Sequence, residues 1–281
     1  MARRLYVDGP FGQTHLRMAG QETPGRPPLV CFHLSPLSSR LYERFIDRIA
    51  EGGGCAVAID TPGFGMSDAP PTAPMISDYS RAMLAAIDAL GIAGPVDLMG
   101  YHTGSMIAAD LAASHPSRVR RLVLVSAPIF TEAEREHLRQ HYGPVPPRLD
   151  GSHLVERWAS FVHHYHGRGL GLEAVADLFP ERLLGRRNSW WGHNAAFSFQ
   201  PDMRLPEIAQ PVLVLNPNDD LRAETRRAAP MIRNGRILEV PDWGHGFLDG
   251  FTDDAAGLVE SFLAAADSDP FGKLSLPGST S

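Results

Sequence analysis

Residues 98–104 read Leu-Met-Gly-Tyr-His-Thr-Gly and join an apolar run to a helix-like stretch. Glycines two places either side of His102 suit a very tight strand-to-helix turn, where side chains at 100 and 104 would strike the neighbouring strand and helix. The central residue of such a turn takes a strained, positive φ and lifts its side chain above the sheet. Histidine tolerates that φ better than most non-glycine residues. The following Ser105-Met106-Ile107-Ala108-Ala109 is small and apolar, as close packing on a sheet demands. Its helix N-terminus aims N–H groups and a positive dipole at the same spot. An imidazole so held is placed for acid–base chemistry near neutral pH.

The elements needed to hold it are legible on either side. Arg3–Asp8 and Gln13–Ala19 flank Gly9-Pro10 and predict an opening antiparallel hairpin. Short apolar runs follow at Pro28–Phe32, Cys55–Ile59, Pro95–Met99, Arg121–Ser126, Pro211–Leu215 and Arg236–Val240. Continuous rather than alternating apolar character fits strands buried on both faces of a parallel sheet. Amphipathic stretches at Arg40–Glu51, Ile76–Leu90 and Ser105–Ser114 lie between them. The alternation predicts an α/β fold, a doubly wound and mostly parallel sheet. From Ile129 to about Ala209 the pattern is helical with no convincing strand, which predicts a helical cap insert over the sheet's C-terminal edge. The expected organisation is a core of 1–128 and 208–266, a cap of 129–207 and a flexible tail of 267–281.

With 281 residues, one large domain with an insert suffices. There are 32 acidic against 26 basic residues and a net charge of -6, with no basic stripe. Nucleic acid and anionic membranes are therefore not expected partners. No apolar run reaches the roughly 18 residues of a membrane span, and the basic start lacks a signal-peptide core. Two cysteines, Cys31 and Cys55, both in apolar runs, predict buried free thiols and a cytoplasmic protein. A small-molecule substrate is the expected partner, and a homodimer is left open.

Four motifs, in order, resemble those of the α/β-hydrolase fold superfamily across about residues 28–250. Cys31-Phe32-His33-Leu34-Ser35-Pro36 is similar to the turn after the third strand, with Leu34 in place of the usual glycine. Asp60-Thr61-Pro62-Gly63-Phe64-Gly65-Met66-Ser67 resembles the D-x-x-G-x-G-x-S turn after the fourth. Gly100–Gly104 resembles the nucleophile elbow, with histidine where serine is usual. Leu215–Asp220 and Trp243-Gly244-His245 resemble the acid and histidine turns. The resemblance implies His102, Asp220 and His245 as catalytic residues, with the backbone N–H groups of Ser35 and Thr103 as oxyanion hole. It selects Asp220, three places past Pro217 in the usual glycine's position, and leaves Asp219 to cap the turn. Ser105 falls inside the helix, where its hydroxyl would point along the helix start.

The cap carries three of the four tryptophans and seven of the twelve histidines. Trp158, Phe161, Tyr165, Trp190, Trp191, Phe197 and Phe199 are candidate pocket residues, with His33, Leu34, Tyr101 and Phe247 from the core. They imply a mid-sized apolar or aromatic substrate. His33 is equally read as a structural histidine bonded to nearby backbone, and His163-His164-Tyr165-His166 as a solvated helix end. Two adjacent imidazoles should titrate in coupled steps, leaving His102 largely neutral at pH 7. The expected enzyme is a hydrolase of an ester, lactone or ketone, in which the imidazoles activate water or one of them attacks. A cofactor-free lyase, isomerase or oxygenase on the same site, and a non-catalytic ligand binder, are the alternatives. No cofactor and no metal is expected.

Overall fold

In the computed structural model, residues 1–167, 169–272 and 274 are described. Eight strands form one sheet: β1 Arg3–Gly9, β2 Gly12–Ala19, β3 Leu29–Phe32, β4 Ala56–Ile59, β5 Val96–Tyr101, β6 Val119–Val125, β7 Val212–Pro217 and β8 Gly235–Val240. Their order is β1-β2-β4-β3-β5-β6-β7-β8. The β1–β2 hairpin and the β2–β4 pairing are antiparallel, and every later pairing is parallel. The apolar runs became these strands because both faces are covered: all residues of β3, β4, β5 and β7 are buried. Helices α1 Glu43–Glu51, α2 Ile76–Ala89 and α3 Thr103–Ser114 flank the sheet, with a closing helix at Thr252–Ala264. One apolar core lies between the sheet and α2 and α3, a second between the sheet and α1 and the closing helix.

Ionic groups in the core are paired, as burial requires. Asp97, the second residue of β5, is 1% exposed and takes both arms of Arg120. Arg121 is fully buried and donates to the Phe262 and Ala265 carbonyls at the end of the closing helix, where a cation also meets the negative end of the helix dipole. Arg121 also reaches Asp267, and Phe271 stacks on Phe262. The first residues of the expected tail are thus docked on the core. Lys273 and 275–281 lie outside the described residues.

Between β6 and β7 the chain is helical: α4 Glu132–His141, α5 Ser152–Tyr165, α6 Leu172–Leu178 and α7 Trp191–Ser198, with short turns between. Residue 192 shows how closely this segment meets the sheet. A Cβ on Gly192 would stand 1.9 Å from Ser35 Oγ, so α7 reaches the turn after β3 only because that residue is glycine. Cys31 and Cys55 are free and buried. Among the described residues no helix is long and apolar enough to cross a membrane.

Candidate active site

His102 lies between β5 and α3 with φ 48° and ψ −108°. The flanking glycines have a steric cause. A Cβ on Gly100 would meet Gly104 O at 2.2 Å, and one on Gly104 would meet Phe32 O at 2.0 Å. Thr103 opens α3, and its N–H, at the first helical position, has no intrahelical acceptor. Ser35, His102 and Thr103 line one cavity of about 200 Å³ with Asp220. Ser105 is turned away: its hydroxyl donates to Gly100 O and Val125 O, both at 2.9 Å, and it is 2% exposed.

The two carboxylates divide between the two imidazoles. Asp219, expected only to cap its turn, is the buried one, and His102 Nε2 hydrogen-bonds its Oδ2 at 2.8 Å. Ser126 Oγ donates to the same oxygen at 2.9 Å, and the Leu221 N–H donates to Oδ1 at 2.9 Å. Ser126 is held for this at φ 62° after β6. Three donors on a buried carboxylate favour its charged form. Asp220 stands 3.0 Å from His245 Nε2, the contact expected of it; its side chain is 41% exposed and lies on the cavity wall. The contact of Asp219 with His102 was not legible in the sequence, because neighbouring loop residues point in different directions and no periodicity tells which points inward.

His102 and His245 stand edge to face, ring centres 5.3 Å apart. Tyr101 OH donates to the His245 carbonyl, and the Asn218 N–H donates to Trp243 O, which ties the acid loop to the histidine turn. Burial disfavours a charged His102, but the Asp219 charge and hydrogen bond, with Asp220 beyond, outweigh it and raise its pKa. The expectation of a depressed His102 pKa rested on the imidazole pair without Asp219, whose charge acts in the opposite direction. Burial would raise both carboxylates, yet His102 and His245 hold both below their ordinary range. His164, on α5, packs 4.9 Å from His245, and burial followed by the His245 charge pulls it down to about 4. His102, Asp219 and His245 bring one ligand atom each within 4.8 Å of one another, as do His164, Asp220 and His245. A divalent cation held by either set would have to displace a histidine–aspartate contact already made.

Several expected pocket residues are elsewhere. Phe247 is fully buried and stacked on Trp243, and Tyr101 is fully buried beneath His102. Leu34 is 5% exposed and packs in the core. His33 is structural: Nδ1 pairs with Leu34 O and Nε2 accepts from the Thr61 N–H. Trp158 packs edge-on against Phe179. Trp191 is half-buried at the start of α7, outside the two chambers described here, and Trp190 lines the outer one. The inner chamber's apolar wall is Phe197, as expected, with Met106, Phe130 and Leu138, which the sequence did not single out. Tyr142 and His193 border both this chamber and the outer one, also of about 200 Å³, whose lining includes Arg157, His164 and Arg182. The outer wall is more polar than the inner one, which composition could not reveal because it is built from scattered cap residues.

Comparison with known proteins agrees with the fold. The family model described as alpha/beta hydrolase fold matches residues 27–149. The chain is 34% identical over 231 residues to a 2-hydroxy-6-oxononadienedioate/2-hydroxy-6-oxononatrienedioate hydrolase of Burkholderia vietnamiensis, covering 78% of this chain and 80% of that one. It is 34% identical over 100 residues to a Mycobacterium phage D29 protein named as a non-heme haloperoxidase, and spans only 36% of that relative's length. Among solved structures, the enol-lactonase from Burkholderia xenovorans LB400 superposes with a TM-score of 0.78 at 19% identity, over 93% of this chain and 100% of that one.

Proposed function

The chain belongs to the α/β-hydrolase fold family, and from that premise we propose that it is a hydrolase in which water, activated by histidine, replaces the usual serine attack. The observation that carries this reading is the His102 Nε2–Asp219 Oδ2 hydrogen bond of 2.8 Å at the elbow, beside the cavity. An imidazole backed by a buried carboxylate accepts a proton more readily and is held in one orientation. His102 takes a proton from water, and the water oxygen bonds to the carbonyl carbon of an ester, lactone or ketone. The N–H groups of Ser35 and Thr103 stabilise the oxyanion. The oxyanion collapses, the bond to the leaving oxygen or carbon breaks, and an imidazolium returns the proton to it. His245, edge-on to His102 and beside Asp220, is the second acid–base group. The core of 1–128 and 208–266 thus supplies the reacting groups, and the cap of 129–207 covers them.

The test is turnover of aryl esters, lactones and diketones by wild type and His102→Ala. Removal of a positioned acid–base group should cost about a hundredfold to ten-thousandfold. A single turnover in heavy-oxygen water should put the label in the acid product, with no acyl adduct on quenched protein by mass spectrometry. Unchanged turnover in His102→Ala, or an acyl group on the His102 ring, would overturn the reading.

A further inference from the structure

Arg157, on α5, and Arg182, on the turn Phe179–Leu183 after α6, both line the outer chamber. Among the described residues neither has an ion-pair or hydrogen-bond partner, although almost every other half-buried arginine here holds a carboxylate or carbonyl. Both are only partly exposed. Burial, and then the Arg157 charge, work against the Arg182 cation, with Tyr165 partly offsetting them. Two guanidinium groups without counter-ions in a part-buried chamber are costly unless an anion arrives from outside. Two of the imidazoles lining the chamber are held uncharged by burial, which lowers His164 to about 4 and His193 to about 3.

We infer that Arg157 and Arg182 form the binding site for a carboxylate carried by the substrate, whose apolar body occupies the inner chamber. The site rests on the hydrolytic reading above, because it places the acid group beyond the carbonyl that His102 faces. A guanidinium fork matches a carboxylate bidentately, so two forks fix both the position and the orientation of the acid end. The two chambers adjoin at Tyr142 and His193, and the inferred substrate spans that border, its body against the Met106–Phe197 wall and its acid group at the arginines. The apolar substrate expected from the cap's aromatic residues thereby becomes an apolar acid.

The experiment is calorimetric binding of 3-phenylpropionate and its neutral amide to His102→Ala protein, alone and combined with Arg182→Gln or Arg157→Gln. The acid should bind at least tenfold more tightly than the amide. Each glutamine substitution should weaken the acid by roughly ten- to a hundredfold, the usual worth of a charge-assisted hydrogen bond, while leaving the amide unchanged. Melting temperature should hold or rise in both variants, because an unpaired part-buried charge is removed; Arg157→Gln serves if Arg182→Gln does not fold. Equal affinity for acid and amide, or acid binding that survives both substitutions, would overturn the inference. Binding is read in the turnover-deficient background, so failure of the hydrolytic reading leaves this result standing. Hydrolysis of neutral esters by a protein without acid preference would sink the carboxylate site alone.

Discussion

Asp219 and Asp220 are adjacent in the chain but meet water very differently. The Asp219 side chain is fully buried and takes donors from His102, Ser126 and the Leu221 backbone, whereas that of Asp220 is 41% exposed and faces His245 across the cavity wall. A charge held by three hydrogen bonds away from solvent has one geometry and little screening. A charge at the cavity wall is screened and can move with substrate. The first suits a fixed base at the elbow, and the second a group that adapts as the leaving group departs.

The largest effect should follow Asp219→Asn. Turnover should fall by about a thousandfold, within the range for losing a positioned base. Breaking a buried pair typically costs about 3–5 kcal/mol, so urea unfolding should show a clear loss of stability. The pH profile sharpens the assignment. His102 has a raised pKa, so the limb of kcat/KM that rises as this base deprotonates should lie above pH ~6.5 in wild type and shift lower in Asp219→Asn. The pair's stabilisation has the matching window. The His102 share is complete below about pH 6.5 and fades as pH rises through its raised folded value, and the Asp219 share is complete above about pH 3.9 and fades as pH falls. A midpoint unchanged in both activity and stability would leave Asp219 as a turn cap only.

Asp220→Asn should be milder, with about a tenfold loss of turnover and a stability change within about 1 kcal/mol, as for a solvent-screened pair. If it instead matched Asp219→Asn in unfolding, the contrast between the two carboxylates would be wrong. The smallest effect should come from Ser126→Ala, which removes one of three donors to Asp219. A severalfold loss of turnover with about 1–2 kcal/mol of stability is expected, and retention of that loss in an Asp219→Asn background would break the proposed link between them.

How far the chain could be read before folding depends on the element. The strand runs were visible because burial on both faces leaves a continuous apolar signature, and the helices because theirs repeats with the helical turn. The elbow was legible for a steric reason: Gly100 and Gly104 are the residues that let β5, α3 and the Phe32 carbonyl approach so closely. Loop side chains carry no such signature. Phe247 and Tyr101 sit in pocket-forming motifs yet are fully buried, while Phe130 and Leu138, unremarkable in the chain, form the inner wall.

The sequence by itself determined the sheet, the turn that lifts His102 above it and the order of the motifs around it, because these depend on local sterics and regular periodicity. Tertiary structure alone decided that Asp219 backs His102 while Asp220 meets His245, and that Arg157 and Arg182 share a chamber without a carboxylate partner among the described residues. In both cases the deciding quantity is access to water and the identity of groups contributed by distant segments. Asp219 meets His102 with a second donor from Ser126, some ninety residues earlier in the chain, and no local pattern carries that distance.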